Sequence, residues 1–365
     1  MMQKLILLVL CLSLRGSAFH LPFSPSSLIS TSVLSVLKDS SPETISDTSS
    51  STPLGLNEAL NDIKHDNNDN THATVVQSNP EQYLSRGVDE DFANKSFKLD
   101  NYGPLVEIGN KKVNIFGAYT FLISLLTALP YYLGLTLTST LSQNSLLSDP
   151  NHNIYDTVGK IWSNTWLALT LSTPLIVNKS TATSLPSTLK GRGCLIVANH
   201  ASWLDIPVLC TAVEGPFKFI AKGELTKVPL IGQQLSGGDH ILITREDRRS
   251  QLQTFKSALA YLNDGVPVMA FPEGQRSKTG RLEEFKPGAF SMAVKSKVPV
   301  LPITICNTHA VMPSDSFFPV QGGGGKLRVI VHDLVEYEEG RGEEELSMIV
   351  RRVIEGALPV EQRGE

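Results

Sequence analysis

An α/β fold, a mixed sheet flanked by helices and preceded by a membrane-anchoring helical segment, is what this sequence predicts, on three observations. From Gly193 onward short apolar runs alternate with amphipathic helical patterns. Between Val113 and Ser148 no charged residue occurs. Before about residue 100 the chain is polar and shows no sustained periodicity. With 365 residues, 41% of them hydrophobic and 19% charged, a wholly disordered or collagen-like chain is excluded. One large domain with targeting and anchoring segments fits the length.

In chain order, Lys4, the apolar run Leu5–Leu14 and the small residues Gly16-Ser17-Ala18 read as a signal peptide over residues 1–18. The run is too short to cross a bilayer comfortably. Phe19 follows the expected cleavage point and opens a Ser/Thr-rich tract reaching Pro53. The pattern resembles the two-part leader of algae with complex plastids, so 19–55 is expected to be a transit peptide and the destination a plastid membrane. Asp39, Glu43 and Asp47 are atypical of transit peptides. The alternative is a plain secretory leader, which leads to the endoplasmic reticulum membrane. Residues 56–110 are expected to be disordered linker.

Residues 111–176 are expected to be membrane-anchoring helices. Ile115–Leu137 is mostly apolar, carries Tyr119, Tyr131 and Tyr132, and is preceded by Lys111 and Lys112. Its length permits one span of about 20 residues, with Pro130 as a kink or as the break of a re-entrant pair. Tyr155–Ile176 places Val158, Ile161, Trp162, Trp166 and Leu169 at near-helical spacing, as expected for a helix on the membrane or packed beneath the first.

The catalytic half, residues 177–360, is read as six strands, Cys194–Ala198, Phe217–Ala221, His240–Thr244, Val266–Phe271, Val298–Ile305 and Leu327–His332, with helices at Asp205–Val213, Glu246–Asn263, Gly288–Lys295 and Glu343–Gly356. The chain's net charge is -4, which argues against a nucleic-acid partner. Residues 216–300 nevertheless carry 13 Lys and Arg against 8 Asp and Glu, so this is where an anionic ligand or membrane surface is expected. Cys11, Cys194, Cys210 and Cys306 form no disulfide or zinc pattern.

Two constellations carry chemistry, each directly after an apolar strand. In Asn199-His200-Ala201-Ser202-Trp203-Leu204-Asp205, a carboxylate five residues after a histidine can curl back to fix its tautomer and leave the other ring nitrogen as a base. Taken alone, the spacing equally suits a histidine that caps a helix. Ser202 lacks the Gly-x-Ser-x-Gly context of a nucleophile. In Phe271-Pro272-Glu273-Gly274-Gln275-Arg276-Ser277, Gly274 permits close approach of backbone, Arg276 offers a fork for phosphate and Glu273 an acceptor for hydroxyls. A surface turn with an incidental arginine fits this motif alone as well.

Together these residues resemble the glycerolipid acyltransferase family, specifically the 1-acylglycerol-3-phosphate (lysophosphatidic acid) acyltransferases. Four of its blocks occur in order: Asn199–Asp205, Lys222–Gly232, Phe271–Ser277 and Val298–Ile303, with Phe285–Phe290 matching the stretch that follows the third. Gln275 stands where the third block usually has Thr, and Thr244 where an acid commonly precedes Arg245. The resemblance implies a glycerolipid-acyltransferase-like fold and the conversion of lysophosphatidic acid to phosphatidic acid at a bilayer. His200, oriented by Asp205, would act as general base on the sn-2 hydroxyl. Lys222 and Arg276, with Arg245 as a third cation, would hold the phosphate, and Glu273 and Gly274 would shape the glycerol site. No cofactor is implied, the acyl donor being acyl-CoA or acyl-carrier protein. The alternatives are glycerol-3-phosphate or another lysophospholipid as acceptor, or a non-catalytic phosphatidic-acid-binding membrane protein. A metallohydrolase using His200 and Asp205 would need further ligands, and nearby Asp239 and His240 lack the spacing.

Overall fold

The computed structural model describes Phe92, Pro104 and residues 106–109, 111–144, 146, 148–149, 151–177 and 188–364. The expected signal and transit peptides lie outside the described residues, as does most of the expected linker. The end of that linker is ordered. β1 (Val106–Ile108) and β2 (Lys111–Val113) pair antiparallel about Gly109, which takes a φ of +67°. Three-residue strands are too short to leave a period in the sequence.

Asn114 then caps α1 (Ile115–Gln143): its side chain accepts the Gly117 N–H at 2.7 Å and donates to the Val320 carbonyl at 2.7 Å. α1 is one helix, roughly 43 Å long at 1.5 Å per residue, and Pro130 does not split it into a re-entrant pair. A single ladder bond is lost at the proline, and the buried neighbours Tyr131 and Leu135 hold the helix there against α2 (Asn153–Leu169). α1 is long and apolar enough to cross a membrane. Its two faces differ. Gly117, Thr120, Thr127, Tyr131, Leu135 and Thr138 are buried, whereas Leu122, Leu126, Leu129 and Leu133 are exposed.

Leu175–Val177, assigned from sequence to the end of the anchor and the start of the domain, forms β3 instead. The strands and helices that follow are β4 (Leu195–Ala198), α3 (Asp205–Ala212), β5 (Lys218–Lys222), α4 (Ile231–Gly237), β6 (Ile241–Ile243), α5 (Arg248–Asn263), β7 (Val268–Ala270), α6 (Gly288–Ser296), β8 (Val300–Cys306), α7 (Thr308–Val311), β9 (Arg328–Val331) and α8 (Glu343–Ala357). The sheet runs β3-β9-β8-β4-β7-β5-β6, and every pairing is parallel except β8 with β9. It is therefore the mixed, helix-flanked sheet expected.

Strand alternation builds a core on each face. Leu195, Val197, Val268 and Ala270 pack with residues of α5, α6 and α8, including Leu262, Phe290 and Ile354. Ile196, Ala198 and Met269 pack on the other side with Trp166 and Leu167 of α2 and Val208 and Leu209 of α3. α2 is thus a covering helix of the domain. A buried ion pair ties it to the sheet: Lys218 Nζ donates to Asp156 Oδ2 at 2.9 Å and to the Gly238 carbonyl at 2.8 Å. Cys194 and Cys306 are buried, Cys210 half-buried, and all three are free thiols.

Candidate active site

The parallel strands β8, β4, β7 and β5 end on one edge, and the residues following β4 and β7 meet there. Beyond the last β4 ladder pair, the Asn199 amide substitutes for backbone. Its Nδ2 donates to the Ile305 carbonyl at 2.9 Å and its Oδ1 accepts the Ile305 N–H at 2.8 Å. That clamp sets where His200 leaves the sheet. The His200 N–H donates to Glu273 Oε1 at 2.6 Å, and the His200 carbonyl accepts the Ser277 N–H at 2.8 Å, so the two motifs hold each other.

His200 Nδ1 lies 2.7 Å from Asp205 Oδ2, which also accepts the Ala201 and Ser202 N–H groups at 2.8 Å each. Asp205 is fully buried at the first turn of α3, while the His200 side chain keeps 14% of its surface exposed. A carboxylate accepting three donors puts the imidazole proton on Nδ1 and leaves the Nε2 lone pair available. The ring stacks on Phe271 with centroids 3.9 Å apart and planes 14° from parallel. Dyad, ring support and turn therefore fix the imidazole in orientation as well as tautomer.

Glu273 plays a different part from the one read in the sequence. It is 2% exposed, and its second oxygen, Oε2, accepts the Glu283 N–H at 3.0 Å. Both oxygens are engaged with backbone, which makes Glu273 a clamp across the site. Burial pushes its carboxyl up to about 8 against the pull of those two N–H bonds. Gly274 turns the chain with a φ of +74°, and a Cβ there would meet Lys286 Nζ at 3.0 Å. Arg276 is half-buried, its guanidinium 4.9 Å above the Trp203 ring in the histidine motif, and no carboxylate is bonded to it among the described residues.

Lys222 ends β5; continuing the β5–β7 register sets it level with Pro272, beside Glu273. It is exposed and 3.2 Å from Glu224. Arg245 follows β6, two strands beyond β7 and roughly 10 Å across the sheet, and is exposed. His240 is engaged elsewhere: its Nδ1 accepts the Phe219 N–H at 3.1 Å and its Nε2 lies 3.4 Å from Asp156 Oδ1. Ser202 is structural, its hydroxyl donating to the Met312 carbonyl at 2.7 Å. Sequence reasoning missed the parts of Asn199, Phe271 and Trp203. All three stood inside the motifs, but their roles follow from which strands are neighbours.

Residues 177–306 match the family model described as Acyltransferase. A 1-acyl-sn-glycerol-3-phosphate acyltransferase of Chlamydomonas reinhardtii is 38% identical over 168 residues, covering 46% of this chain and 49% of that protein. A chloroplastic 1-acyl-sn-glycerol-3-phosphate acyltransferase of Arabidopsis thaliana is 36% identical over 190 residues, 51% of this chain and 50% of that protein. The chain thus spans about half the length of these curated relatives. The crystal structure of the 1-acyl-sn-glycerophosphate acyltransferase PlsC from Thermotoga maritima superimposes with a TM-score of 0.51 at 26% identity, covering 65% of this chain and 96% of that one.

Proposed function

We propose that this chain, whose residues 177–306 form a domain of the acyltransferase family, moves a fatty acyl group from a thioester to the sn-2 hydroxyl of 1-acylglycerol-3-phosphate, making phosphatidic acid. The observation that carries this reading is the His200–Asp205 pair at 2.7 Å beside an arginine with no carboxylate bonded to it among the described residues. The acceptor oxygen attacks the thioester carbonyl as His200 Nε2 takes its proton. As the tetrahedral carbon collapses, the C–S bond breaks and the proton passes to the departing sulfur. The thioester is already activated, so no acyl-enzyme is needed. Asp205 steadies the imidazolium formed in transit. The planar fork of Arg276 holds the phosphate, with Lys222 on the neighbouring strand within the same edge. No cofactor enters, and the donor is acyl-CoA or acyl-carrier protein.

The setting is a bilayer. The exposed leucine face of α1 is suited to lie in lipid, and its N-terminal end is near the site. Asn114 and Thr120 hydrogen-bond to the carbonyls of Val320 and Pro319, at the end of a loop whose start, Met312, bonds Ser202. A plastid membrane is the proposed location, supported by the leader pattern and by the chloroplastic relative. The deciding experiment assays purified full-length protein in liposomes with lysophosphatidate, glycerol-3-phosphate and lysophosphatidylcholine, each with both donors. Phosphatidate formed from lysophosphatidate at a kcat/KM well above the other two is expected. Preference for either alternative acceptor, or no transfer to any, overturns the reading. A fluorescent fusion to residues 1–55 that reaches the plastid only while Phe19 is intact would establish the location; delivery to the endoplasmic reticulum would refute it.

A further inference from the structure

The loop from Met312 to Val320 is clasped from both sides. From the catalytic side, the Ser202 hydroxyl bonds the Met312 carbonyl at 2.7 Å. From the other, the β1–β2 hairpin docks on it: the Lys112 N–H bonds the Asp315 carbonyl at 3.0 Å, and the Lys112 ammonium pairs with the Asp315 carboxylate at 2.9 Å. Lys111, next to it, faces inward. Its Nζ donates to the Ser314 carbonyl at 2.6 Å and stands 5.7 Å from the Phe317 ring centroid. An ammonium has three donors, so this one has capacity left for a ligand.

Ser314 is two residues from Met312, whose carbonyl bonds Ser202, and Trp203, the next residue, carries the Arg276 guanidinium, so the hairpin and the arginine meet the same stretch of the histidine motif. Burial first, and then the Arg276 charge, hold the Lys111 amine below the usual lysine range, while Asp315 pulls the other way. Asp315 is already the partner of Lys112 at 2.9 Å. Arg276 in turn rests on Trp203 and bonds no carboxylate among the described residues. Two partly buried cations that sense each other's charge repel and lose hydration, a cost that a doubly charged anion bound by both would offset. A phosphate monoester is such an anion. It carries up to two negative charges and oxygens that can accept from a guanidinium fork and an ammonium together.

We propose that Lys111, on the hairpin outside the 177–306 acyltransferase segment, is a second cation of the acceptor site and grips with Arg276 the phosphate of the lysophospholipid. This rests on the acyltransferase reading and extends it. The hairpin that leads into α1 thereby becomes part of substrate recognition, and the phosphate is held at the end of the site nearest the apolar face of that helix.

The test uses the full-length chain in detergent micelles. Lys111→Met should raise the KM for lysophosphatidate on the order of tenfold, the weight of a hydrogen bond to a charged group, with the donor KM changed less than twofold. Lys111→Arg, which keeps the charge, should restore most of the affinity. Lys112→Met loosens the same hairpin without removing a cation from the site, and should leave the acceptor KM in place. An unchanged acceptor KM in Lys111→Met, an equal rise in donor KM, or an equal effect of Lys112→Met would overturn the proposal. A second measurement needs no turnover: reductive methylation of wild-type Lys111, followed by mass spectrometry. Lysophosphatidate and inorganic phosphate should slow it, monoacylglycerol of the same chain should not, and Lys112 should label at a constant rate. Protection in a protein that transfers no acyl group would keep the phosphate site and defeat the acyltransferase reading. Turnover without protection, or protection by CoA but not by inorganic phosphate, would defeat the Lys111 assignment alone.

Discussion

With its Nδ1 proton held by Asp205, His200 would on the proposed function offer Nε2 to the acceptor hydroxyl, and His200→Ala should lower kcat by about 10²–10⁴-fold while lysophosphatidate binding survives. Isothermal titration beside the assay checks both halves; turnover above a tenth of wild type would remove His200 from the chemistry. Asp205→Asn should lose most of the rate as well, because an amide nitrogen in place of Oδ2 faces three donors. Glu273 makes a prediction in pH. Its proton is held in the fold up to about 8, against 4.5 for the ordinary group, so the folded state binds it more tightly than the unfolded chain does. The stabilisation from this group is complete below about 4.5 and is lost as pH rises toward about 8. Glu273→Gln, which cannot titrate, should lower Tm overall by freeing one backbone N–H, yet flatten the fall of Tm between pH 5 and 8. An unchanged slope would mean that Glu273 is ionised in the fold. These two residues show what a sequence can and cannot disclose. The dyad was legible because the histidine and the carboxylate are five residues apart on one turn. The Glu273 clamp was not, because His200 comes from the loop of the neighbouring strand, which only strand order brings close, and Glu283 from ten residues along its own loop, a contact no local period reports.

At the scale of the element, α1 was legible as an apolar helix, and its sidedness was present but unread. Gly117, Thr120, Thr127, Gly134 and Thr138 recur at steps of three, four or seven, the small-residue stripe that lets two helices approach closely. Hydropathy treats these residues as neutral, so a scan for apolar runs sees a uniform span. On that stripe Gly134 is tightly packed: a Cβ would lie 3.2 Å from the Val158 side chain of α2, which could yield to a methyl but not to a larger group. Gly134→Leu should therefore prise α1 from α2 and lower Tm by several degrees, whereas Leu126→Ser on the exposed face should leave Tm within a degree or two. Thermal melts in detergent separate the two, and equal losses would contradict the two-faced helix. The boundary of the domain was misread for a related reason. Leu175–Val177 follows α2 after a short turn, and three apolar residues at the end of an apolar stretch look like more helix until β9 is found beside them.

For the whole molecule, the fold class was open to sequence reading because the core strands and their covering helices each carry a strong local pattern. The union of the apolar helix and the domain was hidden. α1 packs along α2 and α4, where the Tyr131 hydroxyl bonds Gln234 Oε1 at 3.1 Å and Gln234 Nε2 bonds the Tyr155 carbonyl at 3.0 Å. A helix locked into the domain by one face and carrying bare leucines on the other would set the depth and tilt of the site relative to lipid, besides keeping the protein at the surface. Replacing Leu122, Leu126, Leu129 and Leu133 together with Ser removes most of that exposed ridge, each residue being 56–69% exposed, and the apolar area lost is no longer available to lipid. The fourfold variant should stay folded, release from liposomes into high salt, and lose at least tenfold in activity on bilayer-borne lysophosphatidate while keeping at least half on substrate in detergent micelles. Micelles carry substrate to the site from any direction, so they bypass the anchor and leave the chemistry of His200 as the only requirement. A variant as active on liposomes as wild type would show that the leucine ridge does not position the site, and a variant equally impaired in both assays would place α1 in the folding of the domain alone.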